Sequence, residues 1–433
     1  MRVVPAGAVS VTAIEAADGQ LTALGAIHSG KQRRPVATAI IVAVALLTAC
    51  TPATTPSLTL PASAAPSTTA PTTVAAATAS SSPTAPPGPS PSPSPGWTFT
   101  VLEQNGPVFA VAANDEAIVA IGNGAGALWW STDGTDWTAS SGFGSADHPQ
   151  QVVAGLAGFV AVGSSGEFPA AWVSSDGRAW HRHLLPLDWK PQSGGAVGVA
   201  AGHGVIVAVG GTEAGGCTDG GSASDPCRTR NEVWWSTNGA SWHLASGFGP
   251  LPSAAEGLTA TDAGFVAWGF VSVGRSAFWR SADGRRWSRV AGPTLPGALE
   301  GLTYFGGRYV ATLNSPSGTN SVVVSSNLTT WTTVTSPALR DLVNDTSSGV
   351  LPVPSFAPVA GGVDAVVCSD TDCEILRSSD GLEWSVLPLD PQVRSLDLAG
   401  LTEFHGQLAV AANYSFDSGL TGSGVVLLAT STP

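Results

Sequence analysis

The sequence is poor in charge, and basic residues are the scarcer kind. Only 11% of the residues are charged, and 18 Lys and Arg stand against 31 Asp and Glu, which gives a net charge of −13 at pH 7. Such a chain has no basic surface to hold nucleic acid or anionic lipid through counterion release, so we expect no nucleic-acid partner. Low charge together with 52 Gly and 32 Pro also argues against a long-helix or coiled-coil protein.

The apolar run nearest the start of the chain, residues 36–49, follows Lys31, Arg33 and Arg34 and ends at Cys50. It is too short to cross a hydrocarbon layer about 30 Å thick as a helix, but it suits the core of a signal peptide. Residues 47–50, Leu-Thr-Ala-Cys, resemble the lipobox of bacterial lipoproteins. The alternative is a plain secretory signal with a chance cysteine.

The lipobox resemblance implies that residues 1–49 are a signal peptide and that Cys50 becomes a lipidated N-terminus. Two or more acyl chains are enough for stable anchoring, so the protein is expected on the outer face of the bacterial cell membrane, outside the cytoplasm. Glu15 and Asp18 are unusual in a signal peptide, so residues 1–30 indicate a start codon that is placed too early.

Residues 51–95 contain no charged and no aromatic side chain, and they hold 12 of the 32 prolines. A segment with nothing to bury cannot offset its ordering entropy, so residues 50–95 are predicted to be the lipidated cysteine and a disordered linker rich in Pro, Ser, Thr and Ala. At about 3.1 Å per residue an extended linker of this length reaches roughly 140 Å. Its composition is also that of a glycosylated stalk.

One short motif, Ser-x-Asp/Asn-x-x-x-Trp, recurs six times after Trp97. Repetition at such intervals is typical of a propeller or a similar array. Asp-Gly and Asn-Gly favour tight hairpin turns, and the Ser and Asp side chains can bond the amides of the turn. The motif therefore predicts a structural, solvent-facing turn and not a catalytic pair. Its key residues are Asp133 and Trp137, Asp176 and Trp180, Asn238 and Trp242, Asp283 and Trp287, Asn327 and Trp331, and Asp380 and Trp384.

Each motif is preceded by strand-like runs rich in Val, Ala and Gly, as expected for strands packed near an axis. Each unit then has four antiparallel strands, a to d from the axis outward. The seventh unit stops near Thr430 without its Trp-bearing strand, and Trp97 opens the domain with such a strand. The sequence thus predicts an all-β, seven-bladed β-propeller over residues 96–433, closed by the N-terminal strand. Six or eight blades is the alternative count.

The recurring motif resembles the Asp-box, or BNR, repeat of sialidase-like and sortilin-like propellers. The fuller version, Ser-x-Asp-x-Gly-x-Thr-Trp, has one residue more than the copies in this sequence. The resemblance covers most of residues 97–433 and is specific for architecture only. It implies a structural hairpin at the blade periphery, away from any active site.

Long connections are expected on one face only, because the a-to-b turns are short and the c-to-d turns are the motifs themselves. The long segments are residues 142–150, 184–195, 211–231, 245–256, 336–355 and 413–423. Variable loops on one rim of a rigid scaffold predict a binding face, with drift in unconstrained loops as the alternative. Asp188, Trp189, Asp219 and Tyr414 are the candidate ligand residues of this loop-rich face. The two aromatic residues could stack on sugars or pack against neighbouring loops.

Four cysteines besides Cys50 form two close pairs, Cys217 with Cys227 and Cys368 with Cys373. In an exported protein, two local disulfides are expected. Zinc is the alternative, but it requires two distant loops to converge. Calcium at the acidic loop residues is less favoured than solvated charge. No cofactor and no metal is therefore predicted.

Two function classes remain: a monomeric, surface-anchored module that binds protein or glycan without catalysis, and a sialidase-type glycoside hydrolase. Family resemblance implies that the hydrolase needs three Arg, a Tyr nucleophile helped by Glu, and an Asp acid/base. No Phe-Arg-Ile-Pro segment opens the domain, and Arg394 is the only Arg near an a strand. Tyr304 and Tyr309 flank an a-to-b turn, on the face opposite the long loops, which leaves Tyr414 as the only possible nucleophile. We therefore favour the binding module and predict no catalytic residue.

Replacing Cys50 tests the predicted lipid anchor. The Cys50→Ser variant lacks the thiol that would carry the diacylglycerol, so we expect the protein in the culture medium instead of the membrane fraction. Fractionation followed by immunoblotting measures this. Retention of the variant by the membrane would rule out the anchor.

Overall fold

The computed structural model describes residues 96–430 except 104–105, 123–126, 157, 216–227, 249–254, 273–274, 292–294, 296, 315–319, 340–354, 369–372 and 415–422. The chain divides into two units, Met1–Ala85 and Pro86–Pro433. In the first unit the structure describes only the paired two-residue strands Ala16–Ala17 and Gln20–Leu21. Cys50, the signal-peptide core and the linker lie outside the described residues. Within the described part of the chain, no helix is both long and apolar enough to cross a membrane.

The second unit contains seven four-stranded antiparallel sheets, which confirms the predicted seven-bladed propeller. The a strands are Val108–Ala113, Asp147–Ala154, Ser193–Gly202, Ala255–Thr261, Ala298–Phe305, Ser355–Val359 and Leu396–Phe404. The b strands are Ile118–Gly122, Phe159–Ser165, Val205–Ala214, Gly264–Ser272, Arg308–Asn314, Gly362–Cys368 and Gln407–Tyr414.

The outer strands complete each blade. The c strands are Leu128–Ser131, Phe168–Ser174, Arg228–Ser236, Arg275–Ser281, Asn320–Ser325, Cys373–Ser378 and Gly424–Ala429. The d strands are Thr138–Ala139, His181–Leu184, His243–Leu244, Ser288–Arg289, Thr332–Thr333, Ser385–Val386 and Trp97–Glu103. A one-turn helix, Pro391–Arg394, lies between blades six and seven.

The ring closes through blade seven, which contains both ends of the domain. Strand Trp97–Glu103 pairs antiparallel with Gly424–Ala429, with Trp97 opposite Ala429 and Val101 opposite Val425. The carbonyl oxygen of Gly96 accepts the backbone N–H of Thr430 at 2.8 Å. Each a strand contacts the a strand of the next blade, and the seventh contacts the first. The predicted closure by the N-terminal strand is therefore confirmed.

The b strands are nearly continuous apolar runs because each blade is packed between two neighbours. Every residue of Ile118–Gly122 is buried. This is the pattern of a strand that is covered on both faces. Asp364 in strand b of blade six is also fully buried, and Arg377 on strand c compensates its charge through bonds from Nε at 2.7 Å and Nη2 at 2.8 Å. Such a two-pronged pair satisfies a carboxylate that would otherwise be costly to bury.

A tryptophan from strand d or its turn fills every interface between blades. Trp180 of blade two packs among Val119, Ile121 and Leu128 of blade one. The same arrangement recurs in the cores that contain or contact Trp97, Trp137, Trp242, Trp287, Trp331 and Trp384. A large apolar side chain of this kind stabilises a fold by about 1.5–3 kcal/mol when it is buried. These residues therefore hold each blade to the preceding one.

The six recurring turns share one hydrogen-bond network. In the first copy, Ser131 Oγ accepts the N–H of Gly134 at 2.8 Å, and Asp133 Oδ1 accepts the N–H groups of Thr135 and Asp136, each at 2.8 Å. These backbone donors, that of Asp136 first, lower the pKa of Asp133 to about 2. The Trp137 ring N–H donates to the carbonyl oxygen of Gly134 at 3.0 Å. The turn is thus closed by its own side chains.

The turns are not wholly solvent-facing, and in this they differ from the prediction. The Ser and Gly positions are buried. A Cβ atom added to Gly239 would lie 2.6 Å from Val173 Cγ2, which belongs to the preceding blade. Leu328 occupies the equivalent position in blade five with a φ of 66° and packs into the core between blades four and five. The motif residues thus also form the contact between blades, which spacing alone could not show.

The long connection predicted at residues 211–231 is also shorter than expected. Strand b of blade three continues to Ala214 and strand c begins at Arg228, with Thr212 opposite Arg230 and Gly211 opposite Asn231. Gly and polar residues in this stretch suggested a loop, but cross-strand pairing extends the hairpin beyond its apolar part. Residues 216–227, which contain Cys217, Asp219 and Cys227, lie outside the described residues.

Two tryptophans provide a matched test of the turn network. The buried ring N–H of Trp180 donates to the Gly177 carbonyl oxygen at 2.8 Å, whereas the described residues offer the buried ring N–H of Trp97 no partner. Trp180→Phe leaves that buried carbonyl without this donor, so we expect it to lower the free energy of unfolding by about 1–3 kcal/mol more than Trp97→Phe.

Urea unfolding of the two variants, followed by circular dichroism, measures the difference. Both variants remove an indole and retain an aromatic ring, so each serves as the packing control for the other. Equal destabilisation would contradict a role for the ring hydrogen bond.

Candidate functional site

The face that carries the a-to-b turns is held together by contacts between neighbouring blades. His203 Nε2 lies 2.7 Å from the carbonyl oxygen of Thr261, and His405 Nε2 lies 3.0 Å from that of Asp115. The Tyr304 hydroxyl donates to Asp262 Oδ2 at 2.7 Å. Together with the motif turns, these contacts use the polar groups of this face for structure. An open cavity of about 310 Å³ between blades one and two is lined by Asn114, Asp115, Glu116, Gly155, Leu156, Gly158 and Ser175.

The opposite, loop-rich face has a regular feature at its centre. Six of the a strands carry a one-residue β-bulge in the half of the strand that is nearer this face. A bulge leaves one residue unpaired and redirects its side chain. Because the a strands are the innermost strands of the ring, the six bulge residues occupy equivalent positions around the axis, and we call this set of residues the channel mouth. They are Phe109, Gln150, Val197, Glu256, Glu300 and Ala399.

Two neighbouring positions of this channel mouth are acidic. Glu256 and Glu300 occupy the bulges of neighbouring blades, and both are exposed. Desolvation by the surrounding protein raises the pKa of Glu256, and the negative charge of Glu300 raises it further. The Asn314 side-chain amide donates to Glu300 Oε1 at 3.1 Å. The mouth is therefore suited to neutral or cationic groups and disfavours anions.

A second polar cluster lies on the rim of blade three and includes two of the predicted ligand residues. Asp188 Oδ1 accepts Arg230 Nη1 at 2.8 Å. The Arg230 guanidinium lies 4.9 Å from the ring centre of Trp189, whose ring N–H donates to Thr212 Oγ1 at 3.0 Å. Burial, and then the charge of Asp188, raise the pKa of Glu232 to about 6. We call Asp188, Trp189, Arg230 and Glu232 the blade-three cluster.

The blade-three cluster shows what sequence reasoning missed. Arg230 falls within the connection predicted at residues 211–231 and Glu232 follows that connection directly, but both residues lie on strand c. Trp189 is not a free stacking platform, because Arg230 covers its ring and Thr212 binds its N–H. Tyr414 belongs to blade seven, at the end of strand b, where 40% of its surface is exposed. The structure brings Asp188 and Trp189 together and leaves Tyr414 on a different blade.

A disulfide joins Cys368 and Cys373, at the end of strand b and the start of strand c in blade six. The backbone N–H of Leu398 in blade seven donates to Cys373 Sγ at 3.4 Å. The cross-link therefore lies on the loop-rich face, at the interface between blades six and seven. The other predicted pair, Cys217 and Cys227, falls outside the described residues.

Tyr304 and Arg394, two of the residues considered for sialidase chemistry, are bonded to other side chains. Tyr304 and Tyr309 lie at the a-to-b turn of blade five. Burial, and the hydrogen bond to Asp262, raise the pKa of Tyr304 to about 12, the opposite of what a tyrosine nucleophile needs. Arg394, in the one-turn helix, binds Glu374. Its guanidinium therefore already has a carboxylate partner within the protein.

No family model matches the chain, and no curated protein matches it. Its fold is similar to that of YCF48 bound to a D1 peptide, with a TM-score of 0.51 and 17% identity, covering 77% of this chain and 95% of that one. Puromycin hydrolase has a TM-score of 0.52 and 11% identity, covering 76% of this chain and 53% of that one. Trypanosoma rangeli sialidase has a TM-score of 0.45 and 11% identity, and the match covers 78% of this chain and 60% of that one. The first two likenesses show a shared fold alone.

The electrostatics of the blade-three cluster can be tested from both sides of its ion pair. Arg230→Met removes a cation and should raise the pKa of Glu232, whereas Asp188→Asn removes an anion and should lower it. Both partners are partly exposed and screened by solvent, so we expect each shift to be below about one unit. Carbon NMR titration of the glutamate carboxyl signals measures the pKa of Glu232 in both variants.

Arg178→Met is the matched control, because Arg178 lies 4.3 Å from the ring centre of Trp130 in a different blade interface. It should leave the pKa of Glu232 unchanged. Shifts of the same sign in the Arg230 and Asp188 variants would show that the two side chains do not act through their charges.

Proposed function

We propose that this protein is a non-catalytic binding module held outside the cytoplasm by a lipid on Cys50. Its propeller binds a protein or glycan partner through the loop-rich face. The linker of residues 51–95 acts as a spacer between the membrane and the propeller. In this role the fold is a rigid platform, and recognition depends on the segments inserted between its strands.

The observation that carries the proposal is the difference between the two faces. On the a-to-b face, short turns and motif networks bond to one another across the blade interfaces. On the loop-rich side, six bulge residues form the channel mouth, and the blade-three cluster adds four polar or aromatic groups at the rim. An insertion on that face disturbs no strand pairing, so ligand contacts can vary there while the ring remains intact.

Charge narrows the chemistry of the partner. The chain carries a net charge of −13, and the channel mouth presents Glu256 and Glu300 side by side. A partner with basic or neutral groups is therefore favoured over an anionic polymer. YCF48, a propeller of similar fold, is bound to a D1 peptide, which gives one example of the architecture holding a peptide.

A sialidase-type hydrolase is the alternative. It requires cationic groups to hold the sialic acid carboxylate, and the acidic mouth is unsuited to that role. Tyr304 is bonded to Asp262 and Arg394 to Glu374, so neither is free for this chemistry. Turnover of a fluorogenic sialoside by the purified protein would establish the hydrolase in place of the binding module.

The binding face can be tested with the soluble Cys50→Ser protein as a probe. We expect the probe to bind to the surface of the cells that produce it, with loss of most of that binding when residues 216–227 are replaced by a short Gly-Ser linker. The reason is that this insertion directly precedes, in the sequence, the strand that carries Arg230 and Glu232. Flow cytometry with a fluorescently labelled probe measures binding, and thermal unfolding checks that the shortened variant is folded.

The matched control is Asp262→Asn with Tyr304→Phe, which changes the a-to-b face and should leave binding intact. Unchanged binding after the loop replacement would remove that loop from the proposed face. Equal loss in the control would show that binding does not distinguish the two faces.

A further inference from the structure

We propose that Cys368, Cys373 and Asp397 form a redox-gated site for one thiophilic divalent cation of the zinc class. In the oxidised protein the two sulfurs are bonded to each other and cannot act as ligands. In the reduced protein they become a ligand pair that Asp397 completes. This goes beyond the proposed binding function and does not depend on it.

The placement of the three groups carries the proposal. The two sulfurs and a carboxylate oxygen of Asp397 all lie within 4.8 Å of one another. The cysteines face each other across strands b and c of blade six, and Asp397 comes from strand a of blade seven. Cys373 is buried and Asp397 is exposed, so the sulfur side is shielded while the carboxylate side is open to an incoming ion.

The surroundings favour thiolate ligands. The Leu398 N–H that donates to Cys373 Sγ would stabilise a negative charge on that sulfur after reduction. Two sulfurs with one carboxylate oxygen suit zinc or cadmium and do not suit calcium or magnesium, which prefer oxygen ligands alone. Three protein ligands leave a fourth position for water.

A dithiol can act as the reductant of the disulfide between Cys368 and Cys373. The dithiol supplies two electrons and two protons, its own sulfurs form a disulfide, and the bond between Cys368 and Cys373 becomes two thiols. A divalent cation then displaces both thiol protons to solvent and binds the two thiolates and the Asp397 carboxylate. An external disulfide reverses the sequence: it accepts two electrons and two protons and becomes a dithiol, the bond between Cys368 and Cys373 forms again, and the ion is released.

A disulfide alone does not explain the position of Asp397. Strands b and c of blade six are already paired up to Cys368 and Cys373, so a cross-link at that point closes a short loop and constrains little more of the chain. A carboxylate from another blade, with an oxygen within 4.8 Å of both sulfurs, adds nothing to such a cross-link. It does complete a metal site that joins blades six and seven.

The experiment uses the full chain with Cys50→Ser, Cys217→Ser and Cys227→Ser, so that only the proposed cysteine pair remains. The probe is Cd²⁺, added to the oxidised protein and to protein reduced with a dithiol that is then removed without air. We expect one Cd²⁺ per reduced chain, a thiolate-to-cadmium charge-transfer band in the ultraviolet, and no such band in the oxidised chain.

Asp397→Asn should weaken Cd²⁺ binding by at least about tenfold while the band still forms at high Cd²⁺. Asp115→Asn, on the opposite face, is the matched control and should bind Cd²⁺ as the parent does. The proposal is overturned if the reduced chain binds no Cd²⁺, if Asp397→Asn binds it as tightly as the control, or if reduction abolishes cooperative thermal unfolding.

Discussion

Closure of the ring is the constraint on which the rest of the molecule depends. Seven blades must meet at equal angles, so every interface has to be filled to the same thickness, including the one that joins the last blade to the first. The protein meets this need with a repeated device: a tryptophan packed against the preceding blade beside a turn whose glycine, or leucine in blade five, touches that blade. A void at any interface would change the angle of closure and would leave sheet edges unpaired.

This packing between blades also explains why the two faces of the propeller differ. Motif turns and a-to-b turns are fixed by the interfaces, since their side chains bond across neighbouring blades, as His203 does to Thr261. The connections on the other side also contact neighbouring blades, as Leu398 does at Cys373, but they extend beyond the ends of the strand ladders and so can differ in length. Bulges such as those at Glu256 and Glu300 then place chemically distinct side chains at equivalent positions around the axis. A symmetrical scaffold in this way presents an asymmetrical surface.

Architecture could be inferred from the sequence because it depends on short patterns that recur. Trp137 and its counterparts mark the blades, and the position of Trp97 shows which blade uses both ends of the domain. The blade-three cluster could not be inferred in the same way. Arg230 reaches Trp189 only because strand c continues beyond its apolar part, which depends on cross-strand pairing that no local pattern reveals. Asp397 likewise lies near the cysteine pair although it belongs to the next blade and is not a sequence neighbour of either cysteine.

Blade seven has a consequence for how this chain reaches its native state. Its outermost strand is made first and its inner three strands are made last, so Trp97–Glu103 has no partner until Gly424–Ala429 is present. During synthesis the earlier blades can assemble one upon another, but the annulus stays open until the final strand arrives. A chain that lacks the strand Gly424–Ala429 would therefore lose closure of the whole domain, although it would retain six intact sheets.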